Sequence, residues 1–195
     1  MEHNKQHFIS DEVFDALFPA YIQKLSVKHW TPIAIALKAG AFLGGSPESR
    51  VVDIGAGIGK FCITAKAHFD GYFTGIEQRA NFVKIGNRVI KKLGLKQVEL
   101  LQGNFTEVDF TSYTGIYFYN SFHENIVIAD SLDKKIERSE QLYKIYVECL
   151  EEKLIGMPIG MKLATYYMYE SEMPDCYTLI ETHFDRLLLF WIKTA

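Results

Sequence analysis

The chain has 195 residues, enough to bury one substantial core and short for two, so a single domain over residues 1–195 is expected. Hydrophobic residues make up 48% and charged residues 23%, ordinary globular usage that excludes a disordered or fibrous protein. The net charge of −3 argues against a protein built mainly to grip a phosphate backbone, which needs a positive field.

The polar start, MEHNKQHFISDE, lacks the apolar core of a secretory signal, and no apolar run approaches the roughly 18–20 residues that span a bilayer. A soluble, cytoplasmic protein with no membrane attachment is expected. His3 and His7 read as part of a loose tail, and Cys62, Cys149 and Cys176 as reduced, buried thiols, with no metal site.

In chain order, Ser10-Asp11-Glu12 signals a helix start, followed by apolar residues at Phe14, Leu17, Phe18, Tyr21, Ile22 and Leu25 and kinked or split at Pro19. Thr31-Pro32 signals a second start, cap then proline, for a helix running to the stop at Gly44-Gly45. These two helices, within residues 1–45, form an N-terminal cover ahead of a core over 50–193. From Arg50 the chain alternates: strand Arg50 to Ile54, helix Ile58 to His68, strand Tyr72 to Glu77, helix Arg79 to Leu93, strand Gln97 to Gln102, strand Gly115 to Asn120. A charged helix over Asp133 to Leu154 carries an apolar stripe that includes Tyr143, Tyr146 and Leu150. Strands separated by helices imply a doubly wound α/β sheet with parallel pairing. The end breaks that rhythm: after a strand from Met161 to Met168, the runs Tyr177 to Phe184 and Arg186 to Lys193 read as an antiparallel pair.

The stretch VVDIGAGIGKF, residues 51–61, places glycines at 55, 57 and 59 where the first strand meets its helix, the place where open α/β sheets hold their ligands. A dinucleotide fingerprint, G-x-G-x-x-G, would need a glycine at Lys60, and no Gly-Lys-Ser or Gly-Lys-Thr phosphate loop follows. Lys60 itself reads as a solvated helix residue. The pattern D-x-G-x-G-x-G instead resembles motif I of the class I S-adenosylmethionine-dependent methyltransferases. The resemblance spans about residues 50–193, because that family's sheet has seven strands, the last antiparallel.

The resemblance implies S-adenosylmethionine as cofactor, with Gly55, Ala56, Gly57 and Gly59 packed against its methionine moiety and Asp53 orienting it. Ribose hydroxyls need a carboxylate at the end of the second strand, about 20 residues on, where Glu77 stands with Gln78 beside it. In the family a residue pair after strand three holds the adenine, which falls here on Asn104 and Phe105. Asn104 replaces the more usual Asp, and its amide oxygen still accepts from the exocyclic amine.

Methyl transfer from a sulfonium needs an in-line nucleophile and a positioned, desolvated site rather than a triad. In this fold the acceptor is presented at the end of strand four, where the sequence reads YFYNSFHEN. Asn120 resembles the opening amide of amine-directed methyltransferases, with Phe122 as the accompanying aromatic; it favours a nitrogen acceptor and is expected to contact the cofactor as well. His123 and Glu124 are the adjacent acid–base candidates. The same resemblance places the stretch His29-Trp30-Thr31-Pro32 above the cofactor, with Tyr21 nearby in sequence, and simple packing is the other reading of Trp30. The short link after strand five suits a small molecule or a protein side chain better than nucleic acid as partner. The basic side Lys84, Arg88, Lys91, Lys92 and Lys96 reads as solvated surface. A non-catalytic protein that binds S-adenosylmethionine and an NAD-dependent oxidoreductase stand as alternatives.

Overall fold

β-Branched and aromatic runs bounded by turn residues become seven strands: β1 (Arg50–Ile54), β2 (Tyr72–Glu77), β3 (Val98–Gln102), β4 (Gly115–Tyr119), β5 (Lys162–Tyr166), β6 (Tyr177–His183) and β7 (Leu188–Lys193). The coordinates are a computed structural model that describes residues 10–120, 122 and 139–195. The strands form one sheet in the order β3-β2-β1-β4-β5-β7-β6. β1 to β5 pair in parallel, and β7 runs antiparallel between β5 and β6. The hairpin closes where Leu187 N donates to Phe184 O at 3.0 Å, with Asp185 and Arg186 at φ 53° and 65°, the left-handed conformation of a primed turn. The expected doubly wound sheet with an antiparallel last strand is therefore present.

The helices are α1 (Asp11–Asp15), α2 (Ala20–His29), α3 (Ile33–Leu43), α4 (Lys60–His68), α5 (Ala80–Lys92) and α6 (Glu140–Ile155). Pro19 splits the first expected helix into α1 and α2 by taking the cap position of α2. At α3, Pro32 rather than Thr31 is the cap, and the first helical amide, Ile33 N, donates to Asp11 Oδ1 at 3.1 Å. Thr31 points inward instead and shares a buried 3.0 Å hydrogen bond with the Tyr117 hydroxyl of β4. The helix expected from Asp133 begins at Glu140, where the Ser139 side chain accepts from Leu142 N; residues 133–138 lie outside the described residues. Among the described residues, no helix is long and apolar enough to cross a membrane.

Alternation along β1 divides the core. Val52 and Ile54 face α6 with Phe118, Leu163 and Trp191. Val51 faces α3 and α4 with Phe61, Phe73 and Tyr117, whose rings stack at 4.0 Å between Phe61 and Tyr117. A third cluster joins the N-terminal helices, through Phe14, Phe18, Ile22 and Trp30, to α4 and α5. Lys84, Arg88, Lys91, Lys92 and Lys96 are exposed, as a solvated face of α5 and its following turn requires.

One side chain explains the glycines around this third cluster. Leu100 of the edge strand β3 fills a hole that exists because Gly59, Gly75 and Gly86 have no side chains: a Cβ on them would lie 2.7, 2.5 and 2.3 Å from its methyl groups. Asn87 of α5 clasps the same residue by its main chain, donating to Leu100 O at 2.7 Å and accepting from Leu100 N at 2.9 Å, so the outer edge of β3 is covered. Alanine in place of a helix-interior glycine ordinarily stabilises by up to about 1 kcal/mol. Here the new Cβ would also meet Ile58 O at 2.4 Å, main chain that has no rotamer to move. Gly86→Ala is therefore expected to destabilise by about 1–3 kcal/mol in urea unfolding; a stabilised variant would contradict this packing.

Lys60, the first residue of α4, is not solvated. Its side chain is 2% exposed, and its ammonium lies 2.7 Å from Asp11 Oδ1, 2.8 Å from Asp15 Oδ1 and 3.0 Å from Ser26 Oγ. A lysine enters a core only when paired, and the partners here come from α1 and α2. Lys60→Met should cost about 3 kcal/mol of unfolding free energy, and Asp11→Asn less, because Asp15 and Ser26 still hold the ammonium; equal losses would refute the shared clasp.

Candidate functional site

The carboxyl ends of β1, β2, β3 and β4 lie side by side, and the residues singled out in the sequence follow from that placement. Asp53 of β1 stands in register with Gly75 of β2 and Tyr117 of β4. Its side chain is 4% exposed, and its one side-chain partner among the described residues is the Cys62 thiol, 3.8 Å away. Burial pushes the Asp53 carboxyl up to about 8, with the charge of Glu77 adding to the rise and the Cys62 hydrogen bond opposing it. Burial and the neighbouring carboxylate likewise raise the Cys62 thiol. Cys149 and Cys176 are only partly buried, so the expectation of buried thiols holds for Cys62 alone.

The glycine turn is held by its own amides. Gly55 N and Ala56 N donate to Ile76 O at 2.9 and 3.0 Å, and Gly59 N to Ala56 O at 2.8 Å. Gly57 N donates to Glu77 Oε2 at 3.0 Å. All three glycines have positive φ, at 73°, 58° and 83°, which only glycine adopts at no steric cost. Their surroundings differ. Gly59 is closed in by Leu100, whereas Gly57 faces the edge of the Trp30 indole, at 3.9 Å from where a Cβ would sit. Trp30 is buried against Phe82 at 5.7 Å, and its Nε1 has no partner among the described residues.

Glu77 ends β2 as expected and is almost fully engaged. Besides Gly57 N, it accepts from Arg79 N at 2.8 Å and Arg79 Nη1 at 3.1 Å, both on Oε1. A carboxylate offers about four acceptor positions, so Oε2 retains one for an incoming hydroxyl. Gln78 and Asn104, after β2 and β3, converge on one hydroxyl. Asn104 Nδ2 donates to Tyr146 Oη at 2.9 Å and Gln78 Nε2 to the same atom at 3.4 Å, while Asn104 Oδ1 accepts from Thr106 N at 3.2 Å. The Phe105 ring, expected against an adenine, is instead buried between Phe122, at 4.9 Å, and Tyr146, at 5.4 Å. A phenylalanine following a turn asparagine has an apolar core within reach on the α6 side, and takes it.

Asn120 lies just past β4 with φ 32°, a conformation asparagine tolerates better than most residues. It stands on the wall of a cleft together with Phe118, Phe122, Tyr143, Tyr167 and Glu151. Leu150, Leu154, Met168 and Glu172 complete much of the lining, and among the described residues no lysine or arginine belongs to it. His123 and Glu124 lie outside the described residues. Sequence reasoning missed Tyr146, Tyr167 and the clasp at Lys60. A hydroxyl in the otherwise apolar stripe of α6 was the available signal for Tyr146; nothing local marks the other two.

Against known proteins, residues 46–153, more than half of the chain, match the family model described as a methyltransferase domain. The chain belongs to that family. It is thus a class I S-adenosylmethionine-dependent methyltransferase. No curated protein sequence matches it. Among solved structures, an RNA methyltransferase from Salinibacter ruber in complex with S-adenosyl-L-homocysteine is 19% identical, with a TM-score of 0.57 over 84% of this chain and 93% of that one. TrmN from Thermus thermophilus is 13% identical, with a TM-score of 0.62 over 88% of this chain and 52% of that one. Geranyl diphosphate C-methyltransferase from Streptomyces coelicolor A3(2) is 18% identical, with a TM-score of 0.50 over 68% of this chain and 44% of that one. At such identities these likenesses establish the fold.

The glycine turn of this methyltransferase fits a cofactor without phosphates. Four turn amides, those of Gly55, Ala56, Gly57 and Gly59, are already bonded within the protein, so they form no open nest for a diphosphate. Lys60 is committed to Asp11 and Asp15. What the turn offers is the buried acids Asp53 and Glu77, which suit a cationic methionine moiety and a ribose. The same facts count against the NAD alternative.

Asp53 makes stability depend on pH. Its folded-state value of about 8 stands above the ordinary 3.8, so between these the folded protein holds a proton that the unfolded chain has released. Stability should fall as pH rises through that window, by at most about 1.4 kcal/mol per pH unit, and level off above it. Asp53→Asn is expected to flatten the slope measured by urea unfolding; a slope identical to that of the unaltered protein would show that Asp53 ionises freely.

Proposed function

We propose that this chain transfers a methyl group from S-adenosylmethionine to a nitrogen atom of a compact acceptor that occupies the cleft beside Asn120. The observation that carries the reading is the cleft itself, which opens at the end of β4 and is walled by aromatic and aliphatic side chains with few polar groups, the character of a small-molecule site. Among the described residues its charged lining, Glu151 and Glu172, is acidic. An acidic, aromatic wall attracts an amine and repels a phosphate backbone. This is why a small molecule is favoured although the same fold occurs in an RNA methyltransferase.

In this reading Glu77 Oε2 accepts from a ribose hydroxyl, Gln78 and Asn104 face the adenine, and Gly55, Ala56 and Gly57 allow close approach of the methionine part, which Asp53 orients. Gly59 is part of the same turn, and its own missing side chain accommodates Leu100. When bound, the cofactor supplies a methyl group on a positively charged sulfur that leaves readily. The chain's part is to align and to desolvate. The Asn120 carbonyl accepts an N–H of the acceptor and so turns the nitrogen lone pair toward the methyl. Phe118, Phe122 and Tyr167 exclude water around it. On sequence adjacency, His123 and Glu124 are the proposed route for the proton that a charged amine must lose.

The test uses purified protein, a donor labelled in its methyl group, and cell extract separated into small-molecule, protein and RNA fractions. Label is expected in the small-molecule fraction. Label confined to RNA or protein would overturn the acceptor class, and no label in any fraction would favour the non-catalytic alternative. With the acceptor found, Asn120→Ala should lower turnover by about 10²-fold while S-adenosylhomocysteine affinity changes less than about twofold, and Glu77→Ala should do the reverse; loss of both properties in both variants would refute this division.

A further inference from the structure

Tyr146 is a residue of α6 whose hydroxyl reaches the ends of two strands. It accepts from Asn104 Nδ2 at 2.9 Å and from Gln78 Nε2 at 3.4 Å, partners 42 and 68 positions away in sequence. Its ring is buried, edge-on to Phe105 and tilted against Phe122 at 5.4 Å, so the position of the hydroxyl is set by the core and not by the amides.

A side-chain amide has two faces of opposite character: its oxygen only accepts and its nitrogen only donates. Which one confronts a ligand depends on what holds the other. At Asn104 both ends are held, the oxygen by Thr106 N at 3.2 Å and the nitrogen by the phenol. At Gln78 the nitrogen is held by the phenol. Because the phenol oxygen takes a donor from each, both amides keep their nitrogens toward α6. The Gln78 oxygen and the second lone pair of the Asn104 oxygen are left as the acceptors for whatever lies beyond the ends of β2 and β3.

We propose that Tyr146 is a positioning residue for nucleobase selectivity: its hydroxyl fixes the amides of Asn104 and Gln78 so that they present oxygen to the 6-amino group of adenine and oppose a 6-oxo base. This rests on the reading that these two amides face the base. Adenine donates from its 6-amino group, whereas hypoxanthine carries an acceptor oxygen there and a proton on N1. A fixed amide oxygen therefore bonds the first and repels the second. Without the phenol, rotation of either amide costs only its remaining contact, and the site then accepts both bases.

The experiment compares binding of S-adenosylhomocysteine and S-inosylhomocysteine by calorimetry. The unaltered protein should prefer the adenine compound by about 30-fold, and Tyr146→Phe, which keeps the buried ring, should reduce the preference to about threefold. The rescue variant is Tyr146→Phe combined with Asn104→Asp. A carboxylate accepts from either oxygen and needs no orientation, so the adenine preference should return, which a purely structural role for the phenol would not allow. Full preference in Tyr146→Phe, or no recovery in the double variant, would overturn the role of Tyr146. No preference in the unaltered protein, or a preference untouched by Asn104→Ala, would overturn instead the reading that Asn104 faces the base, and the inference with it.

Discussion

A buried ammonium is the constraint on which the rest of the candidate site depends. Lys60 follows the glycine turn directly and is closed off from water, so its charge must be met from within the protein. Asp11, Asp15 and Ser26 meet it, and all three belong to the N-terminal segment. Their use fixes α1 and α2 on the first turn of α4. Asp11 does this while accepting from Ile33 N, so the same carboxylate also starts α3. The buried pair of Thr31 and Tyr117 then ties the entrance of α3 to β4, beside Asp53. The cover, the glycine turn and the central strands are thus joined by polar contacts that lose their partners together if any one element moves. That gives the indole of Trp30 a defined place over Gly57.

Much of the fold was legible because it rests on local signals. Strand runs, the split at Pro19, the glycine turn and the antiparallel hairpin each follow from periodicity or from residues with restricted backbone freedom. Lys60 was misread for the opposite reason. A lysine at the start of a helix normally faces water, and only acids 45 and 49 positions earlier, brought close by the fold, reverse that. Thr31 was read as a cap for the same reason: threonine before proline is a local signal, and Tyr117 is not local. At α6 the described helix is capped by Ser139, in an extended conformation, and the part of the expected helix before it lies outside the described residues.

The candidate site shows the same division. The resemblance points to Asp53, and spacing from the turn points to Glu77, since strand ends in a parallel sheet occupy known places relative to the turn. What spacing does not convey is how a residue is occupied. The three glycines of the turn look equivalent in the sequence, yet Gly57 leaves room before an indole and Gly59 makes room for Leu100. Asn104 and Phe105 were read as a pair facing one ligand, and the chain turns them to opposite tasks: the amide caps a turn and meets Tyr146, while the ring joins the core. Here the two consecutive side chains point in different directions, which their adjacency in the sequence does not convey.

The helix α6 gives these separate observations a common frame. One stripe of it, through Tyr143, Val147, Leu150 and Leu154, forms a wall of the cleft beside Asn120. The adjacent stripe carries Tyr146, which holds the amides at the ends of β2 and β3. Phe122 lies between, packed on Phe118 at 4.9 Å and on Tyr146 at 5.4 Å, and it lines the cleft as well. The wall of the cleft and the support of the amides are therefore one rigid element, held to the sheet by an aromatic layer with little free volume. A displacement of Phe122 would press on Tyr146, and through its hydroxyl on Gln78 and Asn104. In such an arrangement a shift of Phe122 reaches both stripes of α6, because the same rings separate them.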